Sequence, residues 1–229
     1  MGTRLRSVVP GTPKPLASVG EHSFLELLVQ QLRHQGVQHL VMCTGYLADQ
    51  IEQEFGDGSS RGIRIEYSRE LQAMGTGGAV KLAAHILQDE TEFLVMNGDS
   101  FIEMDFQQLL RLHREQKALL SMAVRRVANT QRYGQVQVNA AGRVTGFTEK
   151  SGSEGTGLVN AGVYVFGREV LAQIPDGPTS LERDVFPKLL DRGIYAAEQH
   201  GMFIDIGTPE DYVRAQEICG RLYAAALNR

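Results

Sequence analysis

Gly2-Thr3-Arg4-Leu5-Arg6 is followed closely by Pro13-Lys14-Pro15. A glycine beside a threonine and an arginine makes a tight turn with backbone N–H groups turned toward an anion, and the guanidinium forks onto phosphate oxygens. Proline on either side of Lys14 stiffens the loop that carries the ammonium. Two cations beside such a turn suit a polyphosphate whose charge grows during reaction. Asn97-Gly98-Asp99 ends an apolar run. An aspartate there either holds a divalent cation against phosphates or closes a turn. Asp205 stands inside Phe203-Ile204-Asp205-Ile206-Gly207. An unpaired carboxylate in an apolar strand is costly, so a metal ion or a buried cation is expected at it, unless alternation turns it to solvent.

Three further stretches carry chemistry. Gly75-Thr76-Gly77-Gly78-Ala79 opens a helical pattern. Small residues let a ring or a sugar approach the backbone, and a helix start favours anions; the alternative is a plain loop. Glu149-Lys150 closes a strand, and Asn160-Ala161-Gly162 lies in another. A carboxylate and a carboxamide suit sugar hydroxyls, and a lysine suits a phosphate; the alternative is a strand-end charge pair and a polar strand position. The six histidines show neither metal-ligand spacing nor a triad arrangement and read as surface or structural.

Regular elements must hold these groups in place. Leu25, Leu28, Val29 and Leu32 share a helical face that stops at Gly36. Residues 37–43 form a short apolar strand, 47–55 a helix, 63–67 a strand, 78–87 a helix and 93–96 a strand. Strands separated by helices imply parallel pairing with crossover helices, and the loop after Met96 would lie at a carboxyl end of the sheet. Beyond a helix over 105–116, N-capped by Asp105, strands dominate at 119–127, 134–139, 143–149 and 158–166. Gly142 supplies the positive φ of a hairpin turn over 139–142. Short helices follow over 169–173 and 181–190, then a strand over 202–206. The last helix starts at Thr208 with Pro209 and Asp211 behind it, and its inner face is Tyr212, Ala215, Cys219 and Leu222. No linker or internal repeat is visible, and the Gly- and Ser-rich stretch over 151–157 is expected to be the most mobile loop.

A chain of 229 residues can bury a sizeable core. Its net charge of −4 predicts no general attraction to nucleic acid or to an anionic membrane, so phosphate binding must come from a local cluster of cations. Cys43 and Cys219 are expected as buried, reduced thiols. No apolar stretch is long enough to span a bilayer and no signal peptide is visible, so a cytoplasmic location is the default expectation.

Taken in order, Gly-Thr-Arg-Leu-Arg, Pro-Lys-Pro, Gly-Thr-Gly-Gly-Ala, Asn-Gly-Asp, Glu-Lys, Asn-Ala-Gly and Asp-Ile-Gly-Thr-Pro-Glu-Asp-Tyr resemble the sugar-1-phosphate nucleotidyltransferases over nearly the whole chain. Within that family, Arg4 to Val9 and the Gly-Thr-Gly-Gly-Ala form are most similar to the short guanylyltransferases of D-glycero-α-D-manno-heptose 1-phosphate, with the mannose-1-phosphate guanylyltransferases close behind. The resemblance implies a Rossmann-like α/β fold with a mixed, mainly parallel sheet and flanking helices. It implies one domain over 1–229, with a nucleotide-binding part over 1–117 and a sugar-phosphate part and C-terminal helix over 118–229. It implies GTP, or another nucleoside triphosphate, and a sugar 1-phosphate as partners, Mg²⁺ as cofactor, and a nucleotide-sugar and pyrophosphate as products. Any oligomer would use the core itself.

By similarity, Arg4 holds the departing β- and γ-phosphates, with Gly2 and Thr3 in the same phosphate turn, and Lys14 neutralises the α-phosphate. Asp99 and Asp205 hold Mg²⁺. Lys150 holds the sugar phosphate, while Glu149, Asn160 and the backbone around Gly134 and Gly162 take sugar hydroxyls. Gly75, Thr76 and Gly77 line the nucleotide. Family members place a base-reading side chain five residues before Gly75, where this chain has Glu70. A carboxylate suits the paired N1–H and N2–H donors of guanine, a preference in the range of roughly 1–3 kcal/mol by analogy with groove readout; Gln72 is the competing reader. The family also begins with a buried strand and two glycines ahead of the position of Met1, so a first strand missing from this numbering, and a longer native protein, are expected.

Overall fold

The computed structural model describes residues 11–149 and 155–227, so Gly2, Thr3, Arg4 and Lys150 lie outside the described residues. In chain order the elements are β1 (Ser18–Val19), β2 (His22–Ser23), α1 (Phe24–His34), β3 (His39–Thr44), α2 (Ala48–Phe55), β4 (Arg64–Arg69), α3 (Gly75–Leu82), β5 (Glu92–Met96), β6 (Ser100–Ile102), α4 (Phe106–Glu115), β7 (Leu120–Val127), β8 (Gln135–Val138), β9 (Val144–Thr148), β10 (Gly157–Gly167), α5 (Phe186–Leu189), β11 (Ile194–Gln199), β12 (Phe203–Asp205), α6 (Pro209–Glu217) and α7 (Cys219–Ala226). They form two compact units. One draws on the described residues of Met1–Leu71, Gly98–Glu103 and Gly201–Arg229, the other on Gln72–Asn97 and Met104–His200. Each unit is assembled from separated stretches of chain.

In the first unit, β3 and β4 pair in parallel from His39 opposite Arg64 to Thr44 opposite Arg69. The Ser23 hydroxyl accepts the Glu26 N–H and caps α1, a contribution of about 1 kcal/mol. One face of α1 (Phe24, Leu27, Leu28, Leu32) is buried at helical spacing, and Val29 joins Leu16, Met42, Ile51, Phe55, Ile63 and Ile65 in this unit's core. β12 pairs antiparallel with β6. The expected last helix starts as read, with the Thr208 hydroxyl accepting from the Asp211 N–H, but it breaks at Ile218 into α6 and α7. Ala215 and Leu222 are buried, whereas Tyr212 and Cys219 are only half-buried. The Tyr212 hydroxyl reaches out to donate to the Ser18 carbonyl.

The second unit is a six-stranded sheet in the order β11-β7-β10-β8-β9, with β5 pairing β10. Leu120, Met122, Tyr164, Phe166, Phe186 and Ile194 lie at the centre of its core. The sheet is mixed, as expected. Parallel pairing among the described residues is confined to β3–β4 and β7–β11, less than helix-linked strands suggested. The reason is β10, which returns antiparallel against β5, β7 and β8 without a crossover helix. Its register slips between Asn160 and Tyr164, and Gly162 sits in that bulge at φ +76°. A bulge of this kind re-aims side chains.

Candidate active site

Lys14 opens a short 3₁₀ turn, Lys14–Leu16, after Pro13. The Leu16 N–H donates to the Pro13 carbonyl at 2.8 Å, and the Leu16 side chain is buried. Proline stiffness and this apolar anchor leave Lys14 little freedom. Its Nζ meets Asp99 Oδ2 at 2.6 Å and Asp205 Oδ1 at 3.7 Å. The two acids come together through the β6–β12 ladder. Asp205 stands opposite Ser100, and the Ile206 N–H donates to the Asp99 carbonyl at 3.0 Å. The Gly207 N–H donates to Asp205 Oδ1 at 2.6 Å. A Cβ on Gly207 would lie 2.7 Å from that same oxygen and 3.5 Å from Lys14 Nζ, so a glycine keeps the space between carboxylate and ammonium open.

Burial, and then the adjacent Asp99 carboxylate, push the Asp205 carboxyl above the usual aspartate value; Lys14 and the Gly207 N–H pull the other way. One ammonium shared by two carboxylates leaves net negative charge at the site. Among the described residues, no three His, Cys, Asp or Glu side chains gather as a metal-ligand set. Two carboxylates fit a hard cation such as Mg²⁺, which keeps several waters and completes its shell with substrate oxygens.

In the same unit, the carboxyl end of the parallel pair carries Gly45 after β3 and Glu70 after β4. The Glu70 N–H donates to the Thr44 carbonyl at 2.7 Å, and a Cβ on Gly45 would stand 3.6 Å from that of Glu70. Glu70 is half-buried. Cys43, expected to be buried, is instead exposed by its surface area. The surrounding protein mass, then the Glu70 charge, nevertheless push its thiol up to about 11, so the side chain is reachable by water but recessed. Cys219 is half-buried.

In the second unit, Gly134, Glu149, Asn160 and Gly162 converge on β8, β9 and the bulge of β10. The Asn160 N–H donates to the Gly134 carbonyl at 2.9 Å, and a Cβ on Gly134 would lie 2.8 Å from Glu149 Oε2. Both ends of the Asn160 amide are held. Its Nδ2 donates to the Tyr164 hydroxyl at 2.6 Å, and its Oδ1 accepts the Gly162 N–H at 3.0 Å. Tyr164 is fully buried, so this orientation is fixed from inside the core. Asn97, given no role of its own within Asn97-Gly98-Asp99, joins here: its N–H donates to the Gly162 carbonyl at 2.8 Å.

Gln72, Gly75 and Thr76 are exposed at the start of α3, while Gly77 is buried. The expectation of a helix start open to anions needs correction at two positions. The N–H groups of Gly77 and Gly78 both donate to the Thr179 carbonyl, at 2.8 and 3.2 Å. Thr179, Ser180 and Glu182 were not singled out in the sequence; the one local signal is Ser180, an N-cap residue type whose hydroxyl accepts the Arg183 N–H. No helix among the described residues is long and apolar enough to cross a membrane.

An α/β scaffold that gathers a lysine and two remote aspartates at strand ends suits the handling of phosphates, and the chain belongs to the nucleotidyl transferase family, whose model matches residues 1–220. It is 39% identical over 217 residues to the mannose-1-phosphate guanylyltransferase of Mycobacterium tuberculosis (strain ATCC 25618 / H37Rv), a match covering 93% of this chain and 60% of that protein. It is 35% identical over 219 residues to the D-glycero-alpha-D-manno-heptose 1-phosphate guanylyltransferase of Aneurinibacillus thermoaerophilus, covering 95% and 94%. The chain thus spans about 60% of the length of the mannose-1-phosphate guanylyltransferases it matches. Among solved structures, HddC from Yersinia pseudotuberculosis is similar at TM-score 0.83 and 32% identity over 93% of both chains. The same protein complexed with GMP-PN is similar at TM-score 0.80 and 30% identity, over 90% of this chain and 89% of that one.

Proposed function

We propose that this chain transfers GMP from GTP to a sugar 1-phosphate, D-glycero-α-D-manno-heptose 1-phosphate, releasing pyrophosphate. The observation that carries the reading is Lys14 Nζ set against Asp99 and Asp205 at 2.6 and 3.7 Å. A phosphate oxygen of the sugar 1-phosphate attacks the α-phosphorus in line. The new P–O bond forms as the bond to the β-phosphate bridging oxygen breaks, and pyrophosphate leaves with that electron pair. Such a step needs positioning and charge neutralisation rather than a covalent protein intermediate. Lys14, held by its rigid turn, meets the α-phosphate with little reorganisation. Asp99 and Asp205 would hold Mg²⁺, which supplies neutralisation of phosphate charge when bound. Glu70 accepts the two donors of the guanine edge, and Gln72, Gly75, Thr76 and Gly77 line the nucleoside. Arg4, with Gly2 and Thr3, takes the β- and γ-phosphates, and Lys150 takes the sugar phosphate. Glu149, Asn160 and the backbone at Gly134 and Gly162 take sugar hydroxyls.

Heptose is favoured by a relative of that name matched along 94% of its length. Mannose 1-phosphate is the second reading, favoured by the 39% identity to a protein named for it. The GMP-PN complex of HddC supports guanine. The test is pyrophosphate release from each of the common nucleoside triphosphates against heptose, mannose and glucose 1-phosphates. The expected result is turnover with GTP and heptose 1-phosphate above every other pair. Binding of a nucleotide-sugar without pyrophosphate release from any pair would instead make the chain a regulatory homologue.

A further inference from the structure

The turn that opens α3 is held by a segment about a hundred residues further along the chain. The Thr179 N–H donates to the Met74 carbonyl at 2.8 Å, and the Thr179 carbonyl accepts both Gly77 and Gly78 N–H groups. A Cβ on Gly75 (φ +71°) would lie 2.6 Å from the Thr179 oxygen, and one on Gly78 2.6 Å from the Gly177 oxygen. Backbone meets backbone there, and only glycine permits it. Side chains complete the strap. The Thr76 hydroxyl accepts the Leu181 N–H at 2.8 Å and donates to Glu182 Oε2 at 2.6 Å. The Ser180 hydroxyl donates to the same oxygen at 2.9 Å and accepts the Arg183 N–H at 3.2 Å. Asp184 accepts the Ser180 N–H at 2.7 Å. A carboxylate taking two hydroxyls makes charge-assisted bonds, stronger than neutral ones.

Two N–H groups that a phosphate could have used at this helix start are therefore committed to a protein carbonyl. What remains is a loop of fixed shape. We propose that Glu182 is a positioning residue for nucleotide selection: through the hydroxyls of Thr76 and Ser180 it locks the loop over 72–77 in the arrangement that fits the nucleoside of the triphosphate. This rests on the reading above that Gln72, Gly75, Thr76 and Gly77 line the nucleotide.

Steady-state kinetics and calorimetric GTP binding test it. Glu182→Ala raises the KM and Kd for GTP about tenfold, with kcat and the KM for the sugar 1-phosphate within about twofold of wild type. Glu182→Gln recovers most of the GTP affinity, because both hydroxyls donate to one oxygen and the amide carbonyl can replace it. Thr76→Val reproduces the loss, and the double variant with Glu182→Ala adds nothing further. Additive losses, or a kcat decrease at unchanged GTP affinity, overturn the proposal. Amide hydrogen exchange gives a readout independent of activity. Exchange at Gly77, Gly78 and Leu181 speeds up in Glu182→Ala and stays slow in Glu182→Gln; unchanged exchange in the alanine variant overturns the proposal. A wild-type chain that binds GTP but releases no pyrophosphate defeats the transfer reading alone, since GTP affinity still tests Glu182. A chain that binds no nucleoside triphosphate overturns both.

Discussion

Lys14, Asp99 and Asp205 meet as ions, whereas Gly134, Asn160 and Gly162 meet as neutral groups whose hydrogen bonds to each other are already made. In the first cluster one ammonium is shared by two carboxylates, and Asp205 takes up its charge reluctantly. In the second, a buried tyrosine hydroxyl and a backbone N–H hold both ends of one amide. The ionic cluster is electrostatically incomplete and suited to a partner that brings further charge. The neutral cluster is internally paired and offers shape and direction, with amide bonding capacity beyond its two internal contacts. Loss of a group should therefore cost more activity in the first cluster than in the second.

The largest expected effect lies in the ionic cluster. Asp99→Asn should abolish Mg²⁺-dependent pyrophosphate release, and Lys14→Ala should lower kcat by about 10²- to 10³-fold, the scale of removing one preorganised electrostatic group. Circular dichroism should show both folded; activity retained by Asp99→Asn would remove that residue from the metal site. A smaller effect is expected among the neutral groups. Asn160→Ala should raise the KM for the sugar 1-phosphate about tenfold, near the cost of about 1–1.5 kcal/mol for one lost hydrogen bond. An unchanged sugar KM would separate Asn160 from the sugar.

The smallest effect concerns stability. The Asp205 carboxyl is raised above its ordinary value of 3.8. Between that value and the raised one the folded chain holds a proton the unfolded chain has released, so metal-free stability should fall as pH rises through that window. Asp205→Asn should remove that slope and raise the metal-free Tm at neutral pH, read by thermal melts across the acid range. Mg²⁺ should raise the Tm of wild type and not of the variant. A slope that survives in Asp205→Asn would contradict the assignment.

Much of the fold was legible. The caps at Asp105 and Thr208 are local chemistry and hold where structure is described. β6 escaped notice because three residues carry no periodicity. β11 escaped because Ala196, Ala197, Glu198 and Gln199 have little strand preference and pack through their neighbours. Cys43 lies in an apolar run, but its strand alternation turns it outward. The break at Ile218 was hidden because both flanking stretches are good helix formers.

For the candidate site the division is similar. Pro13-Lys14-Pro15, the acid in an apolar strand at Asp205 and the glycines that open α3 are visible as residue types, because proline stiffness, the cost of a lone buried carboxylate and the absence of a Cβ are properties of single positions. That Asp205 lies opposite Ser100, and that Thr179 occupies the start of α3, depends on the pairing of segments about a hundred residues apart. Ladder register and backbone-to-backbone approach are set by how the whole chain packs, and no local pattern of side chains encodes them.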